Sequence, residues 1–293
     1  MLFNSLPFLF FFPTVFLIYW AIRKRSYQNV FLITSSYFFY ANWDWRFLFL
    51  LIFSTLLDYF SGLKISQSNQ ETTRKWWLWI SIGINLGFLG IFKYYNFFVS
   101  SFVDLFQQFN ISLHVETLNV ILPVGISFYT FHGLSYVIDI YYRRISVERN
   151  FVDYSLFVSF FPLLVAGPIE RAHHLLPQMK KERVFRYENM VEGLRLILWG
   201  LFKKVAVADQ CAYWVNDIFS NPQDQHSTTL IWGAILFSFQ IYGDFSGYSD
   251  IALGTARMMG FNLLRNFKFP YFSRDIAEFW RRWHISLSSW FKD

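Results

Sequence analysis

Residues 154–169 read YSLFVSFFPLLVAGPI, apolar almost throughout yet interrupted by Pro162, Gly167 and Pro168. A helix needs roughly 20 apolar residues to span the hydrocarbon of a bilayer, and this run is too short. Basic segments flank it, 143–149 before and 171–187 after. One crossing cannot join two loops on the same side of a membrane. The run is therefore expected to enter and return. Its prolines and glycine break the helix and leave backbone groups that only protein or a wet cavity satisfies. A short helix on the membrane surface is the alternative.

Working outward, the whole chain suits a bilayer. It is 54% hydrophobic and 23% aromatic, with 38 Phe and only 16% charged residues, against about 25% charged in an average soluble domain. Much of that ring surface is expected to face lipid. The net charge of +6 does not indicate nucleic acid, because the basic residues sit between apolar blocks and form no single patch. Expected spans are 6–22, 30–41, 46–63, 76–99, 117–142, 188–208 and 230–256. Most of the 26 Lys and Arg fall in 23–29, 64–75, 143–149, 171–187 and 257–292, which places those segments in the cytoplasm. Segments 100–116 and 209–229 lack basic residues but carry Asp104, Glu116, Asp209, Asp217 and Asp224, so they are expected outside. Arg23-Lys24-Arg25 follows the first apolar run rather than preceding it, so that run is expected to stay as a membrane helix, not a cleaved signal. Residues 1–293 are expected to form a single all-α, multi-pass domain without a soluble unit. The lone Cys211 is expected to be an ordinary buried thiol.

Ionisable groups inside spans are costly and need a partner or water. Asp58 and Asp139 lie near span ends and are expected to be interfacial or structural. Asp244 and Asp250 sit deeper, among Gly243, Gly247 and Gly254. The glycines permit close helix approach, and the carboxylates are expected to bond neighbouring helix ends or to line a site. His114 and His226 read as solvated loop residues. His173 and His174 are adjacent, not at the i, i+4 spacing of a helical metal site, and no metal is expected. His132, inside a span, is either a cavity residue or a hydrogen-bonded core residue.

The segment 279–293, FWRRWHISLSSWFKD, reads as one amphipathic helix. Phe279, Trp280, Trp283, Leu287, Trp290 and Phe291 share one arc. Arg281, Arg282, Ser286, Ser288, Ser289, Lys292 and Asp293 take the other. His284 sits at the edge of the apolar arc, beside Ser288. A membrane-surface helix explains the Trp and Arg content but gives the histidine no role. A neutral imidazole there is suited to accept a proton from a hydroxyl attacking an acyl carbon. From the residues alone, chemistry and transport both stay open.

Four stretches resemble a known family: ILPVGISFYTFHGLSYVIDIYYR from Ile121, FFPLLVAGPIERAHHLLPQ from Phe160, QIYGDFSGYSDIALGTARMMGF from Gln240, and NFKFPYFSRDIAEFWRRWHISLSSWFKD from Asn266. They are similar to the membrane-bound O-acyltransferases, especially the bacterial branch that acetylates alginate and other exported polysaccharides. The resemblance implies an acyl group delivered from a cytoplasmic thioester, acetyl-CoA or another, with no bound cofactor. It passes to a hydroxyl of an exported polysaccharide or to an extracytoplasmic acetyltransferase partner, at the cytoplasmic (inner) membrane. His284 matches the first of the family's two histidines. Asp244, Asp250, His132, Arg281, Arg282 and Ser288 are the candidates to line the site, the two arginines as positioning groups. The second histidine, to which the resemblance assigns the catalytic role, belongs to a Trp-His-Gly context that does not occur in these residues. The chain therefore reads as truncated, and transfer by this polypeptide unaided is not expected. D-Alanyl transfer to teichoic acid is the near alternative; a transporter or scaffold is the distant one, without the paired interrupted repeats of many transporters.

Overall fold

The computed structural model describes residues 1–109 and 122–292; His114, Glu116, the first residues of the expected span 117–142 and Asp293 lie outside them. The regular elements among the described residues are all helices, with no strand among them. In chain order the helices are α1 (Leu6–Ala21), α2 (Arg25–Ala41), α3 (Arg46–Gln67), α4 (Glu71–Leu89), α5 (Tyr95–Gln107), α6 (Ile126–Tyr141), α7 (Phe151–Ser159), α8 (Phe161–Leu164), α9 (Ala172–Lys180), α10 (Tyr187–Leu201), α11 (Asp209–Ser220), α12 (Ser227–Met258), α13 (Ile276–Arg282) and α14 (Ile285–Lys292). Within the described residues, each expected span has become helix. Two stretches, Arg46–Gln67 and Glu71–Gln107, are long and apolar enough to cross a membrane by length and composition. The 32-residue α12 is long enough, but its charged residues lower its apolar character.

Lipid tails are as apolar as Leu, so helices in a bilayer associate through close packing and hydrogen bonds rather than through the hydrophobic effect. Both devices are present. A Cβ on Gly200 would lie 2.6 Å from the Gly247 carbonyl, and one on Gly254 would collide with the Gly193 carbonyl. Small residues thus let α10 and α12 touch backbone to backbone. The carboxylate of Asp58 is fully buried and accepts from Ser81 Oγ at 2.6 Å and Asn85 Nδ2 at 2.8 Å, joining α3 to α4. It serves as a structural group between the two helices. Asp139 is buried as well, paired with Arg144 at 3.4 Å.

The decisive stretch 154–169 is enclosed. Tyr154, Leu156, Phe157, Phe160, Phe161 and Leu163 are all 0% exposed. Asn150 caps α7 by accepting from the Val152 N–H at 2.9 Å, and the helix ends at Phe160. Pro162 then sits in the first turn of α8, where its missing N–H costs nothing. At the break, the Phe161 N–H donates to Ser36 Oγ at 3.0 Å, so protein satisfies the interrupted backbone. The helical part of the stretch is packed against protein, with Val165 and Ala166 half-buried at its end.

The expected single helix over 279–293 does not form. α13 stops at Arg282, Trp283 is extended, and His284 takes φ 42°, in the left-handed region. α14 restarts at Ile285. Tertiary hydrogen bonds hold the break: the Lys268 N–H donates to the Arg282 carbonyl at 3.0 Å, and the Ile285 N–H to the Asn266 carbonyl at 2.9 Å. Segment 266–268 thus takes up backbone groups that a continuous helix would pair internally. Cys211 also departs from expectation, being half-buried rather than buried.

Candidate functional site

His284 sits at the break between α13 and α14. Its ring meets Phe245 of α12 edge-on, with centroids 4.7 Å apart. Phe245 packs on Phe267 at 5.0 Å, and Phe267 on Trp283 at 5.1 Å. Tyr242, Tyr271 and Phe279 extend this aromatic wall around Trp283. Burial beside the rings pulls the His284 pKa down to about 4, so its imidazole is neutral near pH 7. Its Nε2 is buried and meets no hydrogen-bond partner among the described residues. A neutral imidazole with an unengaged nitrogen is what a general base requires.

Behind Phe267 lies a polar cavity of about 160 Å³, lined by Lys203, Tyr242, Asp250, Arg265, Asn266 and Lys268 among others. Asp250 therefore lines a hollow that Phe267 and Phe245 separate from His284. Its partner is not a helix end, as expected, but Lys203, at 2.7 Å. Asp244 is likewise paired with a lysine: Lys204 Nζ bonds both Asp244 and Asp209 at 2.6 Å. Asp244 is held in this ion triad rather than in the cavity lining. Both lysines sit in Phe202–Ala208, a π-helical continuation of α10. Such bulges turn side chains out of α-helical register and recur at functional sites.

The other expected site residues fall into two groups. Arg282 pairs with Glu278 at 2.5 Å and serves the α13 turn, while Arg281 is exposed. Ser288 Oγ donates to the Trp283 carbonyl at 3.4 Å, and its N–H to the His284 carbonyl at 3.0 Å. His132 is a hydrogen-bonded core residue: it is fully buried, and its Nε2 accepts from the Glu170 N–H at 3.0 Å. The neighbouring Ile169 N–H donates to Ser286 Oγ at 3.0 Å, and Ser286 Oγ in turn donates to Asn266 Oδ1 at 2.5 Å. The Glu170 carboxylate, also fully buried, accepts from the Leu264 N–H at 2.6 Å and faces His174 Nδ1 at 2.6 Å. His132 thus reaches the His284 break through two successive peptide groups and one serine.

The sequence reading missed Lys203, Lys204, Glu170 and Asn266. For the lysines a signal existed: two adjacent cations inside an apolar span demand carboxylates from a neighbouring span, and α12 supplied two.

The model of the membrane-bound O-acyltransferase family matches residues 140–293. The chain belongs to this family. Among its relatives, the chain is 41% identical to the probable alginate O-acetylase AlgI of Pseudomonas putida over 297 residues, covering 100% of this chain and 60% of that protein. It is 42% identical to the probable alginate O-acetylase AlgI of Pseudomonas aeruginosa, covering 100% of this chain and 56% of that one. It is 36% identical to the peptidoglycan O-acetyltransferase of Helicobacter pylori, with 100% and 60% covered. The chain thus spans less than two thirds of the length of these relatives. Membership makes this a membrane protein, in keeping with exposed rings such as Phe10 (72% exposed), Trp76 (70%) and Phe272 (80%).

Proposed function

We propose that this chain carries part of the acyl-transfer site of a membrane-bound O-acetyltransferase acting on an exported polysaccharide, and that it does not transfer the acyl group unaided. The donor is a cytoplasmic thioester, acetyl-CoA or another. The acceptor is a sugar hydroxyl, or an extracytoplasmic partner that completes the transfer. His284 is the proposed base: its free nitrogen takes the hydroxyl proton as that oxygen attacks the acyl carbon, the C–S bond breaks, and the thiolate leaves and is reprotonated. The observation that carries this reading is the buried Nε2 of His284, without a hydrogen-bond partner among the described residues, in an aromatic wall whose far side lines a polar cavity.

In this reading residues 1–293 act as one unit in the cytoplasmic membrane. The chain crosses it several times with its basic segments inside, and 154–169 enters and returns. Asp250 and Lys203 line the approach to His284 on one side. Glu170, His132 and Ser286 hold the backbone on the other, and Ser288, Arg281 and Arg282 shape the helix turns around the histidine.

Membranes of the source organism, with and without the gene, test it when given labelled acetyl-CoA. Label should enter a polysaccharide only where the chain is present. Equal labelling without the gene contradicts the proposal, and labelling by D-alanine instead would assign the chemistry to teichoic acid.

A further inference from the structure

The polar cavity does not stand alone. An apolar groove of about 370 Å³ adjoins it, and the two share Trp199, Lys203, Tyr242 and Phe269. The cavity end is cationic: Lys203, Arg265 and Lys268 face one carboxylate, Asp250. Lys203 is held by Asp250 at 2.7 Å, whereas Arg265 and Lys268 are exposed and form no ion pair among the described residues. The adjacent Lys204, Asp244 and Asp209 form a triad with one excess negative charge that the cavity lining does not include. Two unneutralised cations therefore stand at the mouth.

The groove end holds no formal charge beyond Lys203. Its walls are Phe202, Val207, Phe239, Gly243, Tyr271 and Phe272 with the shared rings. Phe269 and Phe272 are 66% and 80% exposed, so the groove lies open sideways.

The direction of this crevice is informative. On α12 the cavity is lined by Asp250 and Leu253, and the groove by Phe239 and Gly243. On α10 and its continuation the cavity takes Leu196, and the groove Phe202 and Val207. The two helices run antiparallel, yet both put the cationic end toward the termini that adjoin the basic segments 171–187 and 257–292. From Asp250 to Phe239 is about 16 Å of helix, close to one leaflet of a hydrocarbon core roughly 30 Å thick. A cationic mouth, an apolar channel one leaflet deep and a lateral opening fit a membrane lipid better than a free anion.

We propose that this crevice binds one anionic glycerophospholipid from the leaflet on the side of the basic loops. Its phosphate lies against Arg265, Lys268 and Lys203, and one acyl chain lies along Phe202, Phe239 and Tyr271. A zwitterionic headgroup carries its own cation into the same mouth and gains less. The proposal rests on charge and shape in a membrane protein, and stands or falls independently of acyl transfer.

The test is native mass spectrometry of the purified, delipidated chain titrated with phosphatidylglycerol, with phosphatidylcholine of the same acyl chains, with glycerol phosphate, and with acetyl-CoA. Phosphatidylglycerol should bind about 20-fold more tightly than phosphatidylcholine, as expected for two basic residues near an anionic headgroup. The Arg265→Gln/Lys268→Gln double variant should reduce that preference to about twofold without changing lipid-free thermal stability, because both residues are exposed. Equal binding of the two lipids overturns the proposal, as does a preference that survives the double variant. Glycerol phosphate binding as tightly as the lipid would remove the groove's role. Acetyl-CoA binding in place of lipid would assign the crevice to the donor.

Discussion

Glu170 and His132 are joined through backbone: the Glu170 N–H donates to His132 Nε2 at 3.0 Å. One residue earlier, the Ile169 N–H donates to Ser286. Two successive peptide groups of the broken segment thus bracket α6 on one side and the His284 turn on the other. His132→Ala should leave the buried Glu170 N–H unpaired and open a cavity, at a cost of about 2–4 kcal/mol. His132→Gln, whose amide oxygen reaches a position close to that of Nε2, should recover part of the loss. Equilibrium unfolding in mixed micelles measures both; equal stability of Ala and Gln variants would deny the hydrogen bond its role.

Helix approach makes a second, sharper contrast. A Cβ at Gly200 meets the Gly247 carbonyl and Ile251, so Gly200→Ala must push α10 from α12 and should cost about 2 kcal/mol or more. Gly83, inside α4, has open space where an alanine methyl would stand, with nothing within 4 Å. Gly83→Ala should therefore be neutral or stabilising by up to about 1 kcal/mol. Thermal melts of the two variants in one detergent decide it; similar destabilisation of both would refute the packing account.

A third prediction concerns pH. The Glu170 carboxylate hydrogen-bonds His174 and raises its pKa above the ordinary histidine value, against the opposing effect of burial. Protonated His174 is thus favoured in the folded state. Its contribution is complete below about pH 6.5 and fades as pH rises through the raised folded value. His174→Gln should therefore lower stability relative to the parent in mild acid, with the gap narrowing at alkaline pH. Melting temperatures across pH, parent minus variant, test this; a gap that widens with rising pH reverses the sign and rules it out.

Which parts of this molecule were legible beforehand follows from where the information lies. Apolar length and the Lys/Arg bias are local, so the long apolar helices were readable from their own residues, whereas α9 and α11, which lie in segments read as polar loops, were not. The break at 160–162 was readable too, because Pro162 announces it. Nothing in WRRWHIS announces the break at His284: it contains neither Gly nor Pro, and its cause lies 16–18 residues upstream, where Asn266 and Lys268 take its backbone partners. A helical wheel assumes regular dihedrals and therefore spread His284 and Ser288 over a surface that does not exist as drawn. Asp244 and Asp250 were seen, but their partners Lys204 and Lys203 lie about 40 residues earlier in another helix, beyond the reach of periodicity. His284 itself was singled out because its neighbours resemble a specific family motif.

The central claim is that His284 acts as the base in acyl transfer. Its left-handed backbone makes Asn the cleanest replacement, since Asn tolerates that region and carries no base. Membranes of the source organism bearing His284→Asn at parental expression and insertion, supplied with labelled acetyl-CoA, should label polysaccharide about 100-fold or more slowly than the parent, the usual size of a lost general base. Labelling at the parental rate would contradict the account.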